Sequence, residues 1–192
     1  VINREPIVVF GDYDVDGATS SGVFMRYIGA IGGLVSAYIP DRLKEGYGPN
    51  ISALEGIATQ GARVLVTVDC GIQAFDAIDA GTRAGMDVLI IDHHKAEPEL
   101  PNAVATVNPN RLDDESGLGH LAAVGVTYLL IIAVNRTLRA KGWFKNDRRE
   151  PDLLQYLDMV ALGTVCDVVP LKGLNRVFVR QGLKIMAQRR NI

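Results

Sequence analysis

The 192-residue chain is 48% hydrophobic and 22% charged, with a formal net charge of −2. That balance suits a single globular domain with its own core, and it excludes a general polyanion sponge: a tight hold on nucleic acid would need metals, a local basic patch or a partner domain. Two cysteines, Cys70 and Cys166, with no C-x-x-C pair, argue against a disulfide scaffold or a structural zinc site and fit a reducing cytoplasm.

The first predicted strand, residues 7–10, is a short β-branched run that feeds directly into Gly11-Asp12-Tyr13-Asp14-Val15-Asp16-Gly17. Two carboxylates about 4 Å apart repel by roughly 4 kcal/mol at an effective dielectric near 20. Asp12, Asp14 and Asp16 are therefore costly together unless a cation sits among them or they splay into water as an ordinary turn. An EF-hand loop matches only the first half of the pattern. Its twelfth position, counted from Asp12, is Val23 instead of a bidentate Glu, and a strand precedes it.

Val23, Tyr27, Ile28 and Ile31 then mark a helical apolar face. A second strand at 35–39 follows, then a third at 64–68 that ends on Asp69. Ile72, Phe75 and Ile78 mark another helical face, a fourth strand at 88–91 ends on Asp92-His93-His94, and a fifth lies at 104–107. Strands alternating with helices predict an α/β fold: a doubly wound, mainly parallel sheet with helices on both faces. Ligands of such sheets bind beyond the carboxyl ends of the strands, so separate strands deliver these acids and histidines to one edge.

From about residue 119 the pattern is helical, with helices predicted at 120–140, 151–163 and 174–190 in a single domain, 1–192. The longest apolar run, 121–134, is interrupted by Gly125 and Thr127 and is shorter than the roughly 20 residues of a bilayer span. It reads as a buried helix, and with no signal-peptide pattern no membrane is expected. Residues 141–151 read as a charged surface turn ending in a helix-start Pro. The helix with Leu153, Leu154, Leu157, Val160 and Ala161 on its buried face is expected to stop near Gly163, leaving Asp167 in an apolar loop with Val165, Val168 and Val169. A carboxylate there is expensive to bury unpaired; metal coordination and backbone capping both answer that.

The ordered stretches "GDYDVDGATSSG", "VTVDCG", "IDHH" and "GTVCDVVPL" resemble the signature motifs of the DHH phosphoesterase superfamily, and "PDRLKEGYGPN" narrows the resemblance to the RecJ branch of bacterial single-stranded-DNA-specific 5′-to-3′ exonucleases. The resemblance spans about residues 7–183. It implies a two-metal centre in which Asp14, Asp16, Asp69, His93 and Asp167 ligate divalent cations, with Asp69 the bridge and Asp12 assisting directly or through water. It also implies that His94 faces the scissile phosphate, with Asp92 behind it raising its pKa and fixing its orientation. Oxygen donors with a single imidazole suit Mn²⁺ or Mg²⁺ better than zinc. One departure stands out: many members carry a His four residues before the position of Asp14, and here that residue is Phe10.

Arg42 is either a bidentate ligand for substrate phosphate or an ordinary surface arginine. Gly117-x-Gly119-x-x-Ala122 mimics a dinucleotide fingerprint without a strand directly before it. Gly119 and His120 could instead open the next helix and present amides to a phosphate. The basic tail from Arg176 is accounted for by favourable charge at a helix C-terminus.

The resemblance thus implies the catalytic domain of an exonuclease that releases 5′-mononucleotides from single-stranded DNA in repair and recombination. A DHH-associated domain in cis and other repair proteins would be its partners. This chain is then expected to be a fragment that binds DNA weakly by itself. The alternatives are a family phosphodiesterase acting on short oligoribonucleotides or cyclic dinucleotides, and an inactive replication scaffold, against which the retained acids count.

Overall fold

A computed structural model describes residues 1–145 and 148–190. Asn146 and Asp147 of the predicted surface turn, and Asn191 and Ile192 of the basic tail, lie outside the described residues.

Among the described residues, five strands, β1 (Pro6–Gly11), β2 (Leu34–Tyr38), β3 (Val64–Val68), β4 (Asp87–Ile91) and β5 (Ala105–Val107), form one sheet in the order β2-β1-β3-β4-β5. Every pairing is parallel, with Ile7 of β1 opposite Val35 on one side and Val64 on the other. The helices are α1 (Val15–Ala30), α2 (Ile51–Thr59), α3 (Phe75–Arg83), α4 (Ala123–Ala140), α5 (Leu157–Cys166) and α6 (Gly173–Met186), with a 3-10 turn at Leu153–Tyr156.

The period-two alternation of the strands sorts their side chains into two cores. Ile7, Val9, Val66, Val68 and Ile91 pack with residues of α1, α4, α5 and α6. Phe10, Leu65, Val88 and Ile90 face the other way, against Leu54 and Ile57 of α2 and Ala77 and Ile78 of α3. Burial on both faces is why the central strands β1, β3 and β4 read as nearly unbroken apolar runs, while the edge strands β2 and β5 are largely exposed. The expected doubly wound sheet with a helical C-terminal part is the observed one, and each predicted strand lies within a residue or two of its observed bounds.

The helices depart further from expectation. No helix was expected at α2, whose inward face is only Ala53, Leu54 and Ile57 behind an Asn50 cap. Ile72 is buried in the turn before α3, and the buried face of that helix is Ala77, Ile78, Ala80 and Gly81. The run 121–134 lies within the α4 region. By length and composition α4 could cross a membrane, and here Val124, Val126, Tyr128 and Ile131 are buried in the core.

The largest correction concerns α5, which runs through Gly163 to Cys166. Gly163 does not end the helix; it lets α1 approach, since a Cβ there would lie 2.2 Å from Thr19 Oγ1. Leu154 is exposed, and so are Val165 and Val168. Asp167 is therefore the C-cap residue of a helix, and the apolar loop expected around it does not form.

Candidate metal centre

From β1 the chain passes through α1 on one face to β2, then returns through α2 on the opposite face to β3, on the other side of β1. The connection leaving β1, through α1 to β2, and the connection leaving β3, through α3 on the opposite face to β4, diverge at the carboxyl ends of β1 and β3 and open a crevice there. The Asp12–Asp16 turn and Asp69 flank it, and the end of β4 adds Asp92, His93 and His94. Asp167 arrives from the end of α5.

The three aspartates after β1 have separate surroundings. Asp12 is buried, and its amide continues the sheet by donating to Val68 O at 3.3 Å. Asp14 is exposed and caps α1, accepting from Gly17 N at 2.9 Å. Asp16 points inward, and its carboxylate accepts from Ala123 N at 2.6 Å and Val124 N at 2.9 Å. The amides at the start of α4 thus face a carboxylate, which corrects the expectation that Gly119 and His120 would open a phosphate cradle there. The carbonyls of Gly119 and His120 accept from Asn110 and Asn175, respectively.

Asp69 follows β3 in the left-handed region, with φ of 61°. For a non-glycine residue that conformation costs on the order of 1–3 kcal/mol, and such strain clusters at functional sites. Its amide donates to Ile91 O at 3.0 Å, and Tyr47 Oη donates to its carbonyl at 3.3 Å. His93 Nδ1 lies 3.0 Å from Leu121 O, a carbonyl that can only accept, so Nδ1 carries a proton and Nε2 is the nitrogen turned toward Asp69. That Nε2 lies 3.2 Å from Asp69 Oδ1, and Asp167 Oδ2 lies 3.7 Å from Nδ1.

Asp92 is fully buried and gathers Ile72 N at 3.0 Å, His93 N at 2.7 Å, His94 N at 3.1 Å and His94 Nδ1 at 2.8 Å. Burial alone would raise its pKa, but the His94 hydrogen bond and charge, with the backbone donors, hold it below the usual carboxylate range. In return the Asp92 hydrogen bond raises His94.

Asp12, Asp16, Asp69 and Asp167 are pushed the other way. Burial, with the charges of Asp16 and Asp14, raises Asp69 to about 8 against the pull of the adjacent His93 ring. Burial also raises Asp16 to about 6, and raises Asp12 and Asp167. His93 rises to about 9: burial pulls it down, but the Asp69 carboxylate beside Nε2 and the charges of Asp167 and Asp16 outweigh that. For the acids burial is the largest cause, and a bound cation would offset it.

Ligand atoms within 4.8 Å of one another fall into the groups Asp12–Asp14–Asp69, Asp16–His93–Asp167 and Asp69–His93–His94. Asp69 and His93 each belong to more than one group. Among the described residues no donor makes a well-aligned hydrogen bond to Asp12 Oδ1, Asp69 Oδ1 or Asp167 Oδ2, all three of them buried. Orphaned carboxylate oxygens in a mostly oxygen donor set fit hard divalent cations.

The other expected site residues lie around this cluster. Phe10 is not beside it: its ring stacks on Tyr38 in the opposite core, at 5.2 Å and 18°. Position 10 thus contributes to packing in this chain. Arg42 is exposed, with its guanidinium 5.0 Å above the Tyr13 ring. Tyr13, Tyr47 and His94 continue from it in edge-to-face contacts at 6.4 and 6.1 Å.

Sequence reasoning missed Tyr47 and Lys95, which with Pro49, Ile72, Gln73 and His94 line a cavity of about 580 Å³. The available signal was Tyr47 between Gly46 and Gly48, both at positive φ (79° and 75°), a turn that presents one aromatic ring.

The sequence model of the DHH family, N-terminal domain, matches residues 6–164. The chain is 42% identical over 179 residues to the single-stranded-DNA-specific exonuclease RecJ of Dickeya dadantii, covering 92% of this chain and 31% of that protein. It is 39% identical over 184 residues to the RecJ of Bacillus subtilis, covering 96% of this chain and 22% of the relative. It therefore spans about a third or less of the length of these curated relatives. A crystal structure of exonuclease RecJ bound to manganese superimposes with a TM-score of 0.82 at 32% identity, covering 96% of this chain and 44% of that one.

Proposed function

This chain belongs to the DHH family, and from that membership we propose that it is a metal-dependent phosphodiesterase domain acting on single-stranded DNA in the cytoplasm, releasing 5′-mononucleotides in the 5′-to-3′ direction. The observation that carries this reading is the convergence of Asp12, Asp14, Asp69, His93 and Asp167, with three buried carboxylate oxygens to which no described residue makes a well-aligned hydrogen bond. The similarity to RecJ exonucleases, one of them bound to manganese, supports the substrate and the metal.

Asp12, Asp14 and Asp69 would hold one Mn²⁺ or Mg²⁺ ion, and Asp16, His93 and Asp167 a second, with Asp69 and His93 the contact between the two sets. When bound, such ions polarise a phosphoryl oxygen and lower the pKa of water enough to make a nucleophile at neutral pH.

The chain's own groups do the rest. Asp92 accepts from His94 Nδ1, fixing the ring and favouring its protonated form. The half-exposed imidazole then donates a charged hydrogen bond or a proton to the phosphate through Nε2. Arg42 supplies a planar guanidinium for a neighbouring phosphate, and the cavity beside Tyr47 receives the adjoining nucleoside. With a net charge of −2, the domain's affinity for a polyanion depends on the cations.

End-labelled single-stranded and duplex oligonucleotides, incubated with the domain in Mn²⁺ and in EDTA, test the proposal. Mononucleotides should appear only from the single strand and only with Mn²⁺, and Asp69→Ala should abolish release while preserving the circular dichroism spectrum. Turnover of cyclic dinucleotides with none of single-stranded DNA would favour the other family chemistry.

A further inference from the structure

We infer that Asn108 and Asn110, in the turn directly after β5, are positioning residues that clamp the backbone of the His93–His94 pair, and that Gly119 is glycine so that the clamp can close. The inference rests on the reading of His93 as a metal ligand.

Asn108 Nδ2 donates to His94 O at 2.9 Å, and Asn110 Nδ2 donates to His93 O at 2.5 Å. Two consecutive carbonyls are thus each held by a side-chain amide. The clamp is itself stiff. Asn108 is buried, its Oδ1 accepts from Asn110 N at 2.8 Å, and Pro109 fixes φ between them. The turn is anchored to the sheet where Asp92 N donates to Val107 O at 3.1 Å.

Asn110 Nδ2 also donates to Gly119 O at 3.1 Å. Two residues beyond Gly119, Leu121 O faces His93 Nδ1 at 3.0 Å. His93 is therefore held at its main chain and at its ring by segments that Asn110 ties together. A Cβ at Gly119 would lie 2.4 Å from Asn110 Oδ1, so even alanine pushes the amide away. This gives Gly119 a reason to be glycine without any phosphate.

The circuit matters because the neighbouring rings must diverge, His93 Nε2 toward Asp69 and His94 Nδ1 toward Asp92. With both carbonyls fixed, the peptide units cannot rotate to exchange those directions. Partners of this kind behind a metal ligand are worth about 10–100-fold in metal affinity.

The test compares wild type, Asn110→Ala, Gly119→Ala and Arg111→Ala. Arg111 Nη1 donates to Thr106 O at 2.7 Å, so Arg111→Ala loosens the same loop without touching a histidine carbonyl. Mn²⁺ affinity is read by electron paramagnetic resonance titration, and the His93 Nδ1–H signal by ¹⁵N-edited NMR of the metal-free protein. Asn110→Ala and Gly119→Ala should each weaken Mn²⁺ binding 10–100-fold and shift or broaden the Nδ1–H resonance, while Arg111→Ala matches wild type. An unchanged Mn²⁺ affinity or an unchanged resonance in Asn110→Ala overturns the clamp, as does an Arg111→Ala variant that behaves like it. Failure of wild type to bind Mn²⁺ removes the metal-centre reading instead, and the metal-free resonance still decides the clamp.

Discussion

Asp14 and Asp16 stand two positions apart in the same acidic turn, yet the physics of their removal differs. Asp14 is an exposed N-cap with one backbone donor, so Asp14→Ala should lower stability by about 1 kcal/mol. Asp16 is buried and joins α1 to the start of α4 through two charge-assisted hydrogen bonds spanning more than a hundred residues of sequence. Each such bond contributes about 1.5–3 kcal/mol, so Asp16→Ala should cost about 3–6 kcal/mol in a urea melt of the metal-free protein. Equal losses for the two variants would remove Asp16 from its bridging place. The crowding of carboxylates was legible in the sequence because its Coulomb cost is local. Which of them turns inward was not, because that depends on where residues 123 and 124 arrive.

At the scale of elements, glycine was the residue the sequence reading mistook. Gly163 looked like a helix stop but is a contact point between α5, α1 and α4; its missing Cβ would also lie 2.9 Å from Val124 Cγ1 and 3.0 Å from Asp16 Oδ1. The central strands were legible since burial on both faces demands β-branched runs. Helices α2 and α3 were less so, because α2 turns only Ala53, Leu54 and Ile57 inward and α3 mostly small residues, which leaves little periodic signal. The same principle gives a prediction for α6. A Cβ on Gly182 would lie 2.1 Å from Leu157 O and 2.4 Å from Ala161 Cβ. Backbone cannot yield as a flexible side chain does, so Gly182→Ala should push α6 off α5 and lower stability by about 1–3 kcal/mol or more, despite alanine's better helix propensity. A gain in stability on denaturant titration would show that the two helices do not pack this closely.

Across the whole molecule, the sheet gathers at one rim acids that lie far apart in the chain, from Asp12 to Asp167. Several of these acids are pushed above their ordinary pKa by burial and by one another. The fold therefore opposes its own site in the absence of metal, and a cation that binds only the folded state relieves that opposition. At a concentration about 100-fold above its dissociation constant, a ligand of this kind stabilises by about 2.7 kcal/mol. For a domain of this size that is a rise in Tm of about 5–10 °C. Mn²⁺ should produce that rise, and EDTA should reverse it.

Asp69→Asn separates the two halves of the argument. Replacing a buried carboxyl whose ionisation the fold opposes with a neutral amide should raise the Tm of the metal-free protein, while the Mn²⁺-induced rise should fall to a small fraction of the wild-type value. A variant that keeps the full Mn²⁺ response, or that melts lower than wild type in EDTA, would mean that Asp69 is held in place by something other than the charge balance at this rim.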